Sequence, residues 1–86
     1  MYEILLTDRA LKSLKDIPKA DVNAFWEKIE IVASNPYGEL SFSKKLKNSK
    51  YFRFRFGNYR CVYEIENNNL KVIVIDVGNR KNIYRR

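Results

Sequence analysis

The 86-residue chain predicts a small single α+β domain, ordered β-α-α-β-β-β, in which an antiparallel-rich sheet carries a helical hairpin on one face. Three observations lead there. Residues 50–63, Lys-Tyr-Phe-Arg-Phe-Arg-Phe-Gly-Asn-Tyr-Arg-Cys-Val-Tyr, alternate apolar and polar on both sides of a Gly-Asn pair, which is the pattern of a two-residue β-hairpin. Residues 10–33 place their apolar side chains at helical spacing, interrupted once by Pro18. Residues 70–77 form a nearly unbroken apolar run, as a strand covered on both faces should. A chain of this length holds one modest core, so residues 1–86 make one domain.

Taken in order, Tyr2 to Leu6 is a short apolar run and the first strand. Thr7 or Asp8 then offers an N-cap, and Ala10, Leu11, Leu14 and Ile17 recur on one helical face. Pro18 ends that helix, and its fixed φ suits the start of another. Val22, Phe25, Trp26, Ile29, Val32 and Ala33 form the apolar stripe of the second helix, with Trp26 either core or a partner-binding edge. Ser34-Asn35-Pro36-Tyr37-Gly38 stops it with stacked breakers. The stretch from Glu39 to Ser49 is polar and lysine-rich, and reads equally as a solvated loop or as an RNA contact. The hairpin follows, then an Asn67-Asn68-Asn69 turn, the last strand from Leu70 to Val77, and a tail with four positive charges in Gly78–Arg86.

A two-residue loop fixes the hairpin register. Phe56 pairs with Tyr59, Arg55 with Arg60, Phe54 with Cys61, and Phe52 with Tyr63. Period-2 alternation then puts Phe52, Phe54 and Phe56 on one face and Tyr51, Arg53 and Arg55 on the other. The helices belong on the Phe face, which leaves the arginine face open. Arg55 opposite Arg60 is a like-charge pair, which costs stability by roughly 0.2–1 kcal/mol. A small domain that keeps such a pair is built to receive an anion.

Charge placement points the same way. The net charge is +7. Residues 1–43 carry five Lys/Arg against seven Asp/Glu, net −2, and residues 44–86 carry twelve against three, net +9. A basic half of this kind reads as a nucleic-acid or acidic-partner surface, against the plainer reading of a solvated basic face. Histidine is absent and cysteine occurs once. A transition-metal site and an intramolecular disulfide are therefore not expected, nor is any cofactor. Cys61, on the Phe face, reads as a small buried thiol. No run reaches the ~20 apolar residues of a membrane span, and the N-terminus lacks the pattern of a signal peptide. The expected location is the cytoplasm.

Arg53, Arg55 and Arg60, joined by Arg80 from the end of the last strand, suit a phosphodiester through permanent charge and a planar fork of donors. Tyr51 and Tyr84 can stack on unpaired bases. Metal-free cleavage of RNA uses the 2′-OH as nucleophile, and needs a base, donors for the phosphorane and an acid. Arginine supplies the donors but does not give up its proton at neutral pH. Tyr84, beside Arg80 and Lys81, heads the candidates for the base, followed by Lys44, Lys45 and Lys47. Lys44, Lys45, Lys47, Tyr51, Lys81 and Arg85 complete the expected RNA contacts.

The run Lys45-Leu46, then Tyr51 through Ile65 with its Gly57-Asn58-Tyr59-Arg60, then Val77-Gly78-Asn79-Arg80 and Ile83-Tyr84-Arg85, closely resembles the RelE/ParE superfamily of type II toxin–antitoxin toxins. The resemblance spans nearly the whole chain and implies the RelE-like fold. Its RelE branch consists of ribosome-dependent endoribonucleases that cut mRNA in the A site and are held by a cognate antitoxin. On that resemblance Arg60 and Arg80 match phosphate-contacting arginines and Tyr84 matches a catalytic tyrosine, with a shorter spacing after Arg80. Arg53 and Arg55 stand where those enzymes carry lysines, so the identity of the base stays open. Two alternatives accompany this reading. One is a ParE-like inhibitor of DNA gyrase, which binds rather than cuts. The other is a non-catalytic relative that binds RNA or antitoxin only.

Overall fold

The computed structural model describes residues 1–38 and 40–79. Its elements are β1 (Glu3–Leu6), α1 (Asp8–Lys15), α2 (Lys19–Ser34), β2 (Ser43–Lys45), β3 (Tyr51–Phe56), β4 (Tyr59–Glu66) and β5 (Lys71–Asn79). They form a five-stranded sheet in the order β1-β5-β4-β3-β2. Only the β1–β5 pairing is parallel; the other three are antiparallel. Two helices on a mostly antiparallel sheet match the α+β expectation, with one strand more than expected. That strand, β2, lies inside the lysine-rich stretch from Glu39 to Ser49. Ser-Lys-Lys has little strand preference of its own, and pairing with β3 is what holds it extended.

The hairpin register is the expected one: Phe56↔Tyr59, Arg55↔Arg60, Phe54↔Cys61 and Phe52↔Tyr63. Gly57 has φ +62° and Asn58 does not share the positive φ, so the loop has its glycine at the first central position, as a type II′ turn requires. A side chain at Gly57 would be strained by that φ, and its Cβ, 2.5 Å from Asp21 Oδ1 of α2, would also force the Asp21 carboxylate to move.

Thr7 is the N-cap of α1, accepting from Ala10 N at 3.1 Å. Pro18 holds the N-cap position of α2 with φ −55°. The core lies between α2 and the Phe face. Phe25, Ile29, Val32 and Ala33 from α2 pack with Phe54, Phe56, Cys61, Tyr63, Val72, Val74 and Val77. Phe25 sits 5.5 Å from Phe56 and 6.3 Å from Phe54 between ring centroids. Trp26 is half-buried at the rim of this cluster, edge-on to Phe25 at 5.0 Å.

Val72, Val74 and Val77 cannot share one face of a regular strand, because 74 and 77 differ in parity. A register shift resolves this. Val62 pairs with Asp76 while Tyr63 pairs with Val74, which leaves Ile75 as the extra residue of a β-bulge. Thr7 Oγ1 donates to the Ile75 carbonyl at 2.7 Å, so the residue that caps α1 also satisfies the bulge. Beyond it, Gly78 pairs with Arg60 and shares its face. No helix among the described residues is long and apolar enough to cross a membrane.

Candidate phosphate-binding face

The face of the sheet away from α2 is set by the same alternation that builds the core. With Phe54, Phe56 and Cys61 turned to the helices, Arg53, Arg55 and Arg60 turn outward. Phe56 and Tyr59 close the turn, so Arg55 and Arg60 form the next, non-hydrogen-bonded pair, whose Cα atoms stand about 4.5 Å apart. Arg53 follows roughly 7 Å along β3, and β2 sets Lys44 directly opposite it. Arg55 is exposed and Arg60 half-buried.

Gly78 is the partner of Arg60 on β5, and a Cβ there would meet no atom of the described residues within 4 Å. Arg55 and Arg60, opposed across the hairpin beside Gly78, bring two planar donor forks together, an arrangement that fits the oxygens of a phosphodiester.

The sequence-derived candidates separate in space. Arg53, Arg55, Arg60 and Lys44 come together. Lys45 pairs with Phe52, so alternation turns it to the other side of β2 from Lys44, and Lys47 lies beyond the strand. Tyr51 shares the arginine face but lies four residues from Arg55, roughly 13 Å along the strand. Its ring is approached by Lys50 Nζ at 5.7 Å, and Lys50 in turn pairs with Glu64 at 3.7 Å. Arg80, Lys81, Tyr84 and Arg85 lie outside the described residues.

Two residues at the margins of this face were not read from the sequence. Lys28 of α2 donates from Nζ to the Arg55 carbonyl at 2.7 Å. It lines a groove of about 420 Å³ with Phe42, Lys44, Arg53, Phe54 and Arg55. Nothing in the helical pattern of α2 singles it out. Asp76 is a buried carboxylate in an otherwise apolar strand, paired with Arg9 Nε at 3.3 Å and accepting from Val77 N. The signal that could have found it is that it is the one charged residue in the run Val-Ile-Val-Ile-Asp-Val. It lines a hollow of about 320 Å³ with Arg9, Asp16 and Tyr59, where charges of both signs suit an anion poorly.

The helix-side groups are no rivals for chemistry. Cys61 has its thiol pushed well above the ordinary value, first by burial and then by the charge of Asp76. Tyr63, hydrogen-bonded to Ser43, is also raised, chiefly by burial. Both keep their protons at neutral pH, and both face away from the arginines.

Comparison with known proteins agrees with this fold. A family model for the ParE toxin of type II toxin–antitoxin systems, parDE, matches residues 4–84. A protein of Methanocaldococcus jannaschii that bears the toxin name RelE1 is 30% identical over 86 residues, 98% of this chain and 96% of its own. The isolated RelE toxin of E. coli superposes with a TM-score of 0.81 at 25% identity, covering 98% of this chain and 92% of that one. A chain of the RelB–RelE antitoxin–toxin complex from Methanococcus jannaschii gives 0.75 at 29% identity, covering 93% and 94%.

Proposed function

Because the chain belongs to the ParE toxin family of type II toxin–antitoxin systems, within the RelE/ParE superfamily, we propose that it arrests translation by cutting mRNA in the ribosomal A site. The observation that carries this reading is the Arg55–Arg60 pair on an open sheet face beside Gly78. In the reaction the 2′-oxygen of one nucleotide attacks the adjacent phosphorus and the bond to the 5′-oxygen breaks. The products are a 2′,3′-cyclic phosphate and a 5′-hydroxyl. Arg55 and Arg60 meet the charge that builds on the phosphorane oxygens, with Arg53 and Lys44 holding the flanking backbone. Arg80 joins the phosphate contacts in this scheme. Tyr84, or one of Lys44, Lys45 and Lys47, takes the 2′-OH proton, and the departing 5′-oxygen takes a proton from water to become the 5′-hydroxyl. Placement of the strand by the ribosome supplies much of the rate, which reduces the demand on a protein base.

The same membership supports a cognate antitoxin as partner, since relatives have been solved as antitoxin–toxin complexes. That partner would cover the basic face. Action on ribosomes places the protein in the cytoplasm.

A second reading, inhibition of DNA gyrase by binding, draws on the ParE description of the matched family. Expression of the chain without antitoxin separates the two. The mRNA reading expects growth arrest with intact DNA, relieved by Arg60→Gln or Arg80→Ala in a folded protein. Double-strand breaks with intact mRNA would instead establish the gyrase reading. Harmless accumulation of folded protein would mark a non-catalytic relative.

A further inference from the structure

The outer edge of β3 carries a second cationic feature. β2 ends at Ser43, opposite Phe54, so β3 runs on past it through Arg55 and Phe56 with no strand beside it. Arg55 belongs to a non-hydrogen-bonded pair with β4, and its carbonyl therefore points outward to that bare edge. Lys28 reaches down from α2 and fills the place of the missing strand, donating to this carbonyl at 2.7 Å. The same ammonium lies 5.6 Å from the centroid of the Phe42 ring. Held on two sides, Lys28 still has two N–H donors to offer.

These donors open into the groove of about 420 Å³, where Lys28 meets Lys44, Arg53 and Arg55 over a floor of Phe42 and Phe54. Among the described residues, four cations line it and no carboxylate does. Lys44 and Arg53 are also directly opposed across β2 and β3, a second like-charge pairing kept at a cost in stability. Arg55 belongs to both the groove and the Arg55–Arg60 pair, so the two are continuous around the edge of the sheet.

We propose that this edge groove is a second phosphate-binding subsite for RNA, with Lys28 as its anchor, holding the backbone of the strand next to the phosphate at Arg55 and Arg60. The inference rests on the RNA-cutting reading above and adds a residue and a path to it. An RNA strand leaving the open face would turn over the β3 edge, pass Arg53 and Lys44, and meet Lys28 on the helix side. Messenger and ribosomal RNA present the same phosphate chemistry to this groove. A polyanion with regularly spaced charges fits this chain of cations, because Lys28, Lys44, Arg53 and Arg55 follow one another around the sheet edge.

The test is equilibrium binding of the full chain, freed of antitoxin, to a 2′-O-methyl RNA oligonucleotide and to ribosomes programmed with mRNA, each over a range of salt. Lys28→Gln and Lys44→Gln are compared with Lys12→Gln, which removes the same charge from the exposed end of α1. Lys44→Gln breaks no backbone contact, so it serves even if Lys28→Gln loses stability. Each groove variant should lower the slope of log affinity against log salt by about 0.7 and weaken binding roughly five-fold at low salt, as loss of one phosphate contact does on a single strand. Lys12→Gln should do neither, and Lys28→Arg should restore both. Losses on the oligonucleotide assign the messenger, and losses on ribosomes alone assign ribosomal RNA. Groove variants that behave like Lys12→Gln while cleavage persists would overturn the subsite and leave the Arg55–Arg60 reading standing. Variants that lose affinity only for the antitoxin would assign the groove to an acidic protein and overturn it too. If the unaltered chain binds neither target and cuts nothing, the functional reading fails and takes the subsite with it.

Discussion

Arg55 and Arg60 face each other one pair beyond the hairpin turn, where their mutual repulsion works against the fold and, in the proposed reaction, their shared attraction works on a phosphate. Arg55 is the exposed member, so it can be replaced without opening the core. Arg55→Thr, which puts a β-branched residue opposite Arg60, should raise stability by about 0.5 kcal/mol while removing toxicity; urea unfolding beside a growth assay checks both. A change that stabilises and inactivates together is the mark of a residue kept for function. Cys61 shows the opposite logic. Its buried thiol keeps its proton in the folded chain at pH values where the unfolded chain, with the ordinary value of 9.0, has lost it. The unfolded state then binds fewer protons, so stability should fall as pH rises above about 9, by up to about 1.4 kcal/mol per pH unit until the folded thiol itself ionises. Urea unfolding at pH 8 and pH 10 should show a steeper loss in the unaltered chain than in Cys61→Ala. Tyr63, raised from 10.0, adds to the loss at the upper end in both proteins.

Among the elements, the bulge in β5 does most to place the site. It lets Val72, Val74 and Val77 all enter the core and turns Gly78 to the same face as Arg60. Thr7 holds it, through one hydroxyl that accepts from Ala10 N and donates to the Ile75 carbonyl. Thr7→Ala should therefore cost about 2 kcal/mol, the loss of an N-cap together with an under-satisfied carbonyl, and Thr7→Ser should recover most of it; chemical denaturation of the two variants checks this. The hairpin was fully legible in the sequence, because period-2 alternation and a two-residue loop leave a single register. The helix N-cap was narrowed to two neighbours, and Thr7 holds it because its oxygen reaches Ala10 N. The bulge was not legible, since an unbroken apolar run looks the same in either parity. Nor was β2, whose Ser43-Lys44-Lys45 has no pattern beyond its charge and is a strand only because β3 lies beside it. Lys28 escaped for a related reason: its value comes from a tertiary contact to a backbone carbonyl 27 residues away.

For the molecule as a whole, the charge imbalance has a structural counterpart. The acidic half supplies β1, α1 and α2, and the basic half supplies most of the sheet, β2 to β5, so segregation along the chain becomes in large part segregation between layers. Apolar contact between the layers makes the core, and the outward side of the strand layer is left to the cations. Binding to any RNA target should consequently weaken steeply with salt, and a toxin prepared at high ionic strength should appear less active than it is. The arginine face was legible in the sequence as a set of residues on one side of a hairpin. Its focus on Arg55 and Arg60 beside Gly78 needed the pairing of β4 with β5.

The central claim is that Arg55 and Arg60 stabilise the cleavage of an A-site phosphodiester. Primer extension on a defined mRNA, bound to purified ribosomes with and without the protein, tests it most directly. New breaks should appear within the A-site codon, and Arg60→Gln, folded as judged by circular dichroism, should lower the rate about 100-fold or more. Uncut mRNA in the presence of folded protein, or cleavage undiminished in Arg60→Gln, would contradict it.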